Sequence, residues 1–492
     1  MTFITKIKLS TSIFLFGLVI AYPQLQLGSS IHGITERSHL GRCVSLSSDG
    51  LTIAAGANTY INDLGYAVVY KYIESNWVQV GSPLFGQDSG DAFGSSISLS
   101  SDGTIMAIGA RNKDGFVQVY KLVNTEWVQM GNTIFGENSF DYFGESISLS
   151  SDGLTLVSGA TGNNGGNGTN GGSYGHVRVY KFDGSQWVQM GSDIDGEASG
   201  DHFGRSVSIS SDGTILAIGA FLNDGNGMNS GHVRVFKYSD TNWVQIGSDI
   251  DGESEGDQSG QSVSISSDGT IVAIGAYRNS DNGFNSGQVR VYKQINNEWN
   301  QLGNDIEGEF QEDESGCSVS LSSDGTKLVI GAYLNDGTNG YNSGHARVFK
   351  YIDTTWVQLG HDIDGEVAFD FSGYSVSMSS DGNKVAMGAI YNDENGYESG
   401  QVRIFDVENE VLSIPNYFLD KIRLFPNPAS NLLKLNISNT IELNYMRLYN
   451  SLGMEVRSSN NSEMDISGLK SGVYIVEIMT NKGKKIDKIM IL

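Results

Sequence analysis

The stretch SVSISSDGTILAIGA, residues 206–220, decides the fold. It recurs as SISLSSDGTIMAIGA from Ser96, SVSISSDGTIVAIGA from Ser262 and SVSLSSDGTKLVIGA from Ser318. Its SSDG core begins at Ser47, Ser100, Ser150, Ser210, Ser266, Ser322 and Ser379, a period of 50 to 60 residues. That period is too long for a typical solenoid and suits a four-stranded blade with generous loops. Each unit reads as four strands. SVSIS alternates small polar and branched apolar residues, and TILAIGA is nearly all apolar, as a strand covered on both faces should be. HVRVFK, residues 232–237, alternates again, and NWVQIG, residues 242–247, is a short strand carrying a tryptophan. Ser-Asp-Gly between the first two strands is a tight turn: Asp accepts from nearby backbone N–H groups and Gly takes the positive φ.

All six tryptophans, at positions 77, 127, 187, 243, 299 and 356, fall in the fourth strand. In register, they predict packing between blades rather than sugar contact. The seventh unit lacks this strand, but QLQLGSSIHG at residues 24–33 lines up with VQMGSDIDGE at residues 188–197. The N-terminal segment is therefore expected to supply the outer strand of the last blade and to cover its edge. The sequence thus predicts an all-β fold, a seven-bladed β-propeller over residues 22–407.

Composition sets the setting. Glycine is 63 of 492 residues, proline only 5, and the net charge is −25. From residue 419 onward ten Lys/Arg outnumber seven Asp/Glu, so the rest carries −28. Such a surface repels nucleic acid and anionic lipid and favours cations. The two cysteines, Cys43 and Cys317, show no metal spacing and read as free thiols.

Both ends carry addresses. Residues 1–21 read as a signal peptide: Lys6 and Lys8, a short apolar run over residues 13–21, and Val19 and Ala21 at the cleavage site. That run is too short to span a bilayer, so no transmembrane segment is expected after cleavage. After a linker at residues 408–418, residues 419–492 alternate apolar and polar residues between turn signals, a small β-sandwich of Ig-like kind.

Three motifs in this tail carry a resemblance: Phe425-Pro426-Asn427-Pro428-Ala429, Leu448-Tyr449-Asn450 with Gly453 and Val456, and Ser467-Gly468-Leu469 with Gly472-Val473-Tyr474. They resemble the C-terminal sorting domain of the type IX secretion system of Bacteroidetes. The resemblance implies a partner, the type IX machinery acting through residues 419–492, and a secreted or outer-surface location. The repeats themselves resemble the FG-GAP repeats of integrin α-type propellers, through Phe93-Gly94, Phe143-Gly144 and Phe203-Gly204 and through Gly109-Ala110, Gly219-Ala220 and Gly275-Ala276. No proline follows GA, and the family's calcium loop between FG and GAP is replaced by the short SSDG turn.

In a meander the loops after GA and the loops entering each blade share one face, opposite SSDG. These loops are rich in Asp, Asn and Gly, as in FLNDGNGMNSG and YLNDGTNGYNSG. Flexible oxygen-rich loops suit calcium, and Asp224, Asp281, Asp336 and Asp393 are the candidate ligands. The same residues also make turns without any metal. His176, His232 and His345 occupy one repeat position and read as structural. No catalytic triad and no polar cluster breaking the repeat is found. The expected function is a secreted, non-enzymatic binding or adhesion module holding a glycan or protein on this loop face. The rival is a carbohydrate-active hydrolase or lyase, with a structural adhesin as a third reading. Fold alone decides none of them.

Overall fold

The computed structural model describes residues 25–112, 115–164, 172–407, 423–437, 443–450, 454–480 and 483–492. The signal-peptide and linker readings, at 1–21 and 408–418, lie outside the described residues, as do residues 165–171 of the Gly/Asn insert.

Seven antiparallel sheets are present among the described residues up to 407. The fourth is typical: Ser206–Ile209, Ile215–Ala220, His232–Ser239 and Asn242–Gln245 in spatial order, with Ile250–Asp251 pairing back onto the third strand. Ile215–Ala220 is almost wholly buried, because it lies inside its own sheet and between two neighbouring sheets. Among the described residues the only helical turn is Tyr60–Asp63, and the fold is all-β. The innermost strands of successive sheets pack against each other, and Cys43–Leu46 of the first sheet meets Ser372–Met378 of the last, which closes the ring of a β-propeller.

The SSDG stretch does two jobs. Within a sheet it is the turn read from sequence. The carboxylate of Asp212 accepts from the Ser210 hydroxyl at 2.7 Å and from the Thr214 N–H at 3.0 Å, and Gly213 sits at φ +73°. Partial burial works against ionisation, but these hydrogen bonds hold Asp212 below the usual carboxylate range. Between sheets, the second serine of each copy builds a ring. The Ser48 N–H donates to the Ser101 carbonyl, and the relay runs through Ser151, Ser211, Ser267, Ser323 and Ser380 back to Ser48, at 2.8–3.0 Å. A second closed relay lies one layer further in, where Leu99, Leu149, Ile209, Ile265, Leu321, Met378 and Leu46 N–H groups each donate to a serine hydroxyl of the adjacent sheet.

The conserved spelling elsewhere in the unit also serves contacts between sheets. A Cβ on Gly219 would lie 2.0 Å from the Gly260 carbonyl, so the GA glycine is what lets the next sheet approach. Each Trp indole N–H donates to a backbone carbonyl of the preceding sheet, as Trp243 does to Met190 at 2.9 Å. Trp77 donates to Leu27 at 2.7 Å, across the point where the ring closes. There Leu25–Gln26 and Ile31–His32 pair antiparallel with Gln401–Asp406 and cover the outer edge of the last sheet.

The tail is a separate β-sandwich. One sheet holds Arg423–Phe425, Leu432–Asn436 and Glu463–Asp465, the other Glu455–Ser459, Leu443–Tyr449, Gly472–Thr480 and Gly483–Ile491. Leu433, Met446, Leu448, Ile466, Val476 and Ile478 are fully buried between them, so the tail has a core of its own. Cys43 and Cys317 are free thiols, pushed up to about 12 by burial.

Candidate functional site

A glycine stands near the start of the innermost strand of every sheet, and the residue after it lines one pocket on the loop face. Here the repeat stops repeating. The seven residues are Arg42, Ser95, Glu145, Arg205, Gln261, Cys317 and Tyr374. The residue after each GA adds a second variable position, which contributes Arg111, Tyr277 and Tyr333 to the same pocket of about 190 Å³. This corrects the expectation that no polar cluster breaks the symmetry. These residues come from seven different sheets, and the ring brings them together.

Glu145 is the hub. Its Oε1 accepts from Arg205 and, at 3.2 Å, from Arg111, while its Oε2 accepts from the Thr161 hydroxyl. Burial opposes its charge, but Arg205, Thr161, Arg111 and Arg42 outweigh burial and hold it below the usual range, so it stays ionised. Arg205 Nε also donates to Gln261 at 3.1 Å. Arg42 makes no ion pair or side-chain hydrogen bond among the described residues; its guanidinium lies 4.8 Å from the centre of the Tyr374 ring. Burial, then Arg111 and Arg205, push Arg42 down to about 10. Tyr333 and Tyr374 meet edge to face at 5.4 Å, and the Tyr333 hydroxyl donates to Glu314 behind the pocket wall. Three guanidiniums thus line a pocket with one carboxylate, in a chain of net charge −25.

The face around the pocket is apolar at its tips. Met228, Phe284, Tyr341 and Tyr397 stand at one position of four successive post-GA loops and are more than half exposed. Phe140, Phe310 and Phe369 stand on the entering loops, and Phe369 meets Tyr341 at 5.5 Å.

The candidate calcium ligands are not brought together. Asp224, Asp336 and Asp393 are exposed, and each accepts a backbone N–H of its own loop, from Asn229, Asn342 and Glu398. In the fifth sheet Ser280 takes that turn position, accepting from Asn285, and Asp281 stands one residue further on. Clusters of three His, Asp and Glu side chains whose ligand atoms lie within 4.8 Å of one another stand elsewhere: Glu137, His176 and Asp193; Glu197, His232 and Asp249; Glu309, His345 and Asp362. At the same position in the fifth and seventh sheets stand Gln288 and Gln401. Gln288 donates to Glu253 and Glu307, and Gln401 to Glu366 and Glu394, at 2.8–3.2 Å. The position therefore stitches the third strand to its surrounding carboxylates.

That stitch has a pH consequence. The three histidines are 1% exposed, and burial followed by Arg178, Arg234 or Arg347 pushes each down to about 4. The Nδ1 atoms face Asp and Glu carboxylates at 3.9–4.0 Å, which offset only part of this. The folded state holds the rings neutral while the unfolded chain takes up protons near pH 6.5. Stability is therefore full above about pH 6.5 and falls as the pH drops toward 4, by about 3 kcal/mol per ring at the limit. The His176→Gln, His232→Gln, His345→Gln variant, which copies the fifth and seventh sheets, should lose less melting temperature than wild type between pH 7.5 and 4.5. Parallel losses would refute this account.

Comparison with known proteins agrees with the geometry. Residues 423–492 match the family model of the secretion system C-terminal sorting domain. Residues 193–236, 249–292 and 310–349 match the FG-GAP repeat. No curated protein sequence matches the chain. Among solved structures, Kuenenia stuttgartiensis hydrazine synthase is similar at 13% identity, covering 77% of this chain and 98% of that one, with a TM-score of 0.49. No helix among the described residues is long and apolar enough to cross a membrane. The chain carries FG-GAP repeats in a β-propeller and, at its C-terminus, a sorting domain that directs it through type IX secretion to the cell surface or beyond.

Proposed function

We propose that the propeller is a non-enzymatic binding module that holds a glycan or protein on its loop face, centred on the axial pocket. One observation carries this reading: seven sheets spelled alike differ at the ring of positions lining the axis. Sheet packing uses the same residues in every copy, whereas a ligand needs one particular set. The exposed aromatic tips around the pocket add a surface of the kind that marks interaction sites. Calcium bound by the exposed Asp224, Asp281, Asp336 and Asp393 forms a secondary part of the proposal.

The rival is a hydrolase or lyase on the same scaffold. It needs an acid or base free to exchange a proton with substrate. Glu145 is tied to two guanidiniums and a hydroxyl, and burial and Glu314 hold the Tyr333 phenol above its ordinary range. Both are better suited to shaping a pocket than to proton transfer. The test is incubation of the protein with soluble and insoluble polysaccharides, assaying co-sedimented protein and released reducing ends in the same tubes, with and without chelator. Retention without release is expected, reduced by chelator if calcium contributes. Release would establish the enzyme instead.

A further inference from the structure

We infer that the axial pocket takes one carboxylate-bearing sugar residue at the end of an otherwise neutral glycan. This rests on loop-face binding and adds what the face selects. The first argument is charge. Arg111 and Arg205 share the Glu145 carboxylate, which leaves Arg42 without a counter-ion beside two other guanidiniums. Arg42 is half-buried on the pocket wall, where a guanidinium gains from a partner, and its planar fork matches a carboxylate in two parallel hydrogen bonds.

The second argument is size. About 190 Å³ is roughly six water volumes at about 30 Å³ each, and falls below the range of about 300 Å³ and upward for pockets enclosing larger ligands. The pocket has room for one end group. The third is the wall. Tyr277, Tyr333 and Tyr374 line the pocket beside the guanidiniums, so an occupant with an apolar face as well as a charge, such as a sugar ring, suits it. The fourth is the field around it. Entering loops such as residues 192–204 and 304–316 are dense in Asp and Glu. They repel a ligand charged along its length and admit one whose charge sits at its tip. A polyanion is thereby disfavoured, and a neutral chain with one acidic end is favoured.

The experiment titrates the full chain with D-glucuronate, D-glucose 6-sulfate and D-glucose, followed by calorimetry or ligand-observed NMR. One glucuronate per chain is expected, with glucose at least tenfold weaker and the sulfate weaker than glucuronate. Arg42→Gln should weaken glucuronate at least tenfold. Arg42→Lys, which keeps the charge and loses the fork, should recover only part of it. Melting curves identify any variant that fails to fold, and Gln261→Ala then serves as a second probe of the same pocket, because it frees the Arg205 Nε. Equal binding of glucuronate and glucose, or indifference to Arg42→Gln, overturns the inference. Equal binding of the sulfate overturns the carboxylate assignment. In either case, retention on neutral polysaccharide would leave the broader binding reading standing, and absence of retention on every polysaccharide would remove that as well.

Discussion

Deleting residues 423–492 should leave a folded propeller inside the cell envelope and none at the surface or in the medium. The tail encloses its own core, with Leu433, Met446 and Val476 fully buried, and the propeller closes its ring without any residue beyond 407. Removal of the tail therefore deletes the address and spares the fold. A subtler variant makes the same point. Leu433→Asp places an unpaired carboxylate in that core, at a cost of several kcal/mol, and should abolish export as completely as deletion does. Immunoblots of envelope, surface and medium fractions read both. Surface display of the truncated chain would refute the sorting role.

Removal of residues 22–33 should abolish cooperative melting of the propeller. The segment supplies both outer strands of the last sheet and the carbonyl that accepts the Trp77 indole N–H. Its Leu27 and Ile31 are buried, at about 1.5–3 kcal/mol each. The backbone bonds from Leu27 to Ile404 and from Gly33 to Gly400 add about 0.5–1.5 kcal/mol apiece. The total approaches the whole stability of a typical domain, about 5–15 kcal/mol. The exposed edge of Gln401–Asp406 would also be open to pairing with other chains. Calorimetry of the full chain lacking only these residues should show a broadened or vanished transition and aggregation, partly reversed by a synthetic peptide of residues 22–33. An unchanged melting temperature would contradict the closure.

Much of the fold was legible because one unit is written many times. Alternation in residues 206–209, the apolar run of residues 215–220 and the Asp-Gly turn between them are local signals, and the structure uses them locally. The relay of second serines was not legible. It exists only between sheets, and nothing inside one repeat says that Ser211 will meet Ser267. The axial pocket was hidden for the same reason. Arg42, Glu145 and Arg205 lie about one or more repeats apart, and each reads alone as ordinary variation at a strand start. The available signal was the column after the glycine of each LG, FG or SG, variable between a constant glycine and a nearly constant serine. The loop aspartates suffered from the opposite error. Asp281 looks equivalent to Asp224 by eye, but Ser280 holds its turn position, because the loop shifts the acidic residue by one.

The central claim is that binding occurs on the loop face and not on the SSDG face, and blocking one face at a time measures it most directly. Met228→Cys lies on the exposed tip of a loop-face segment, and Thr241→Cys on the opposite end of the same sheet. Each can be coupled to a bulky polyethylene glycol, and the unsubstituted protein taken through the same coupling controls for the native Cys43 and Cys317 thiols. On the polysaccharide that retains the unmodified protein, the label at position 228 should abolish retention and the label at position 241 should leave it intact. Equal retention by both, or loss through position 241 alone, would contradict the account.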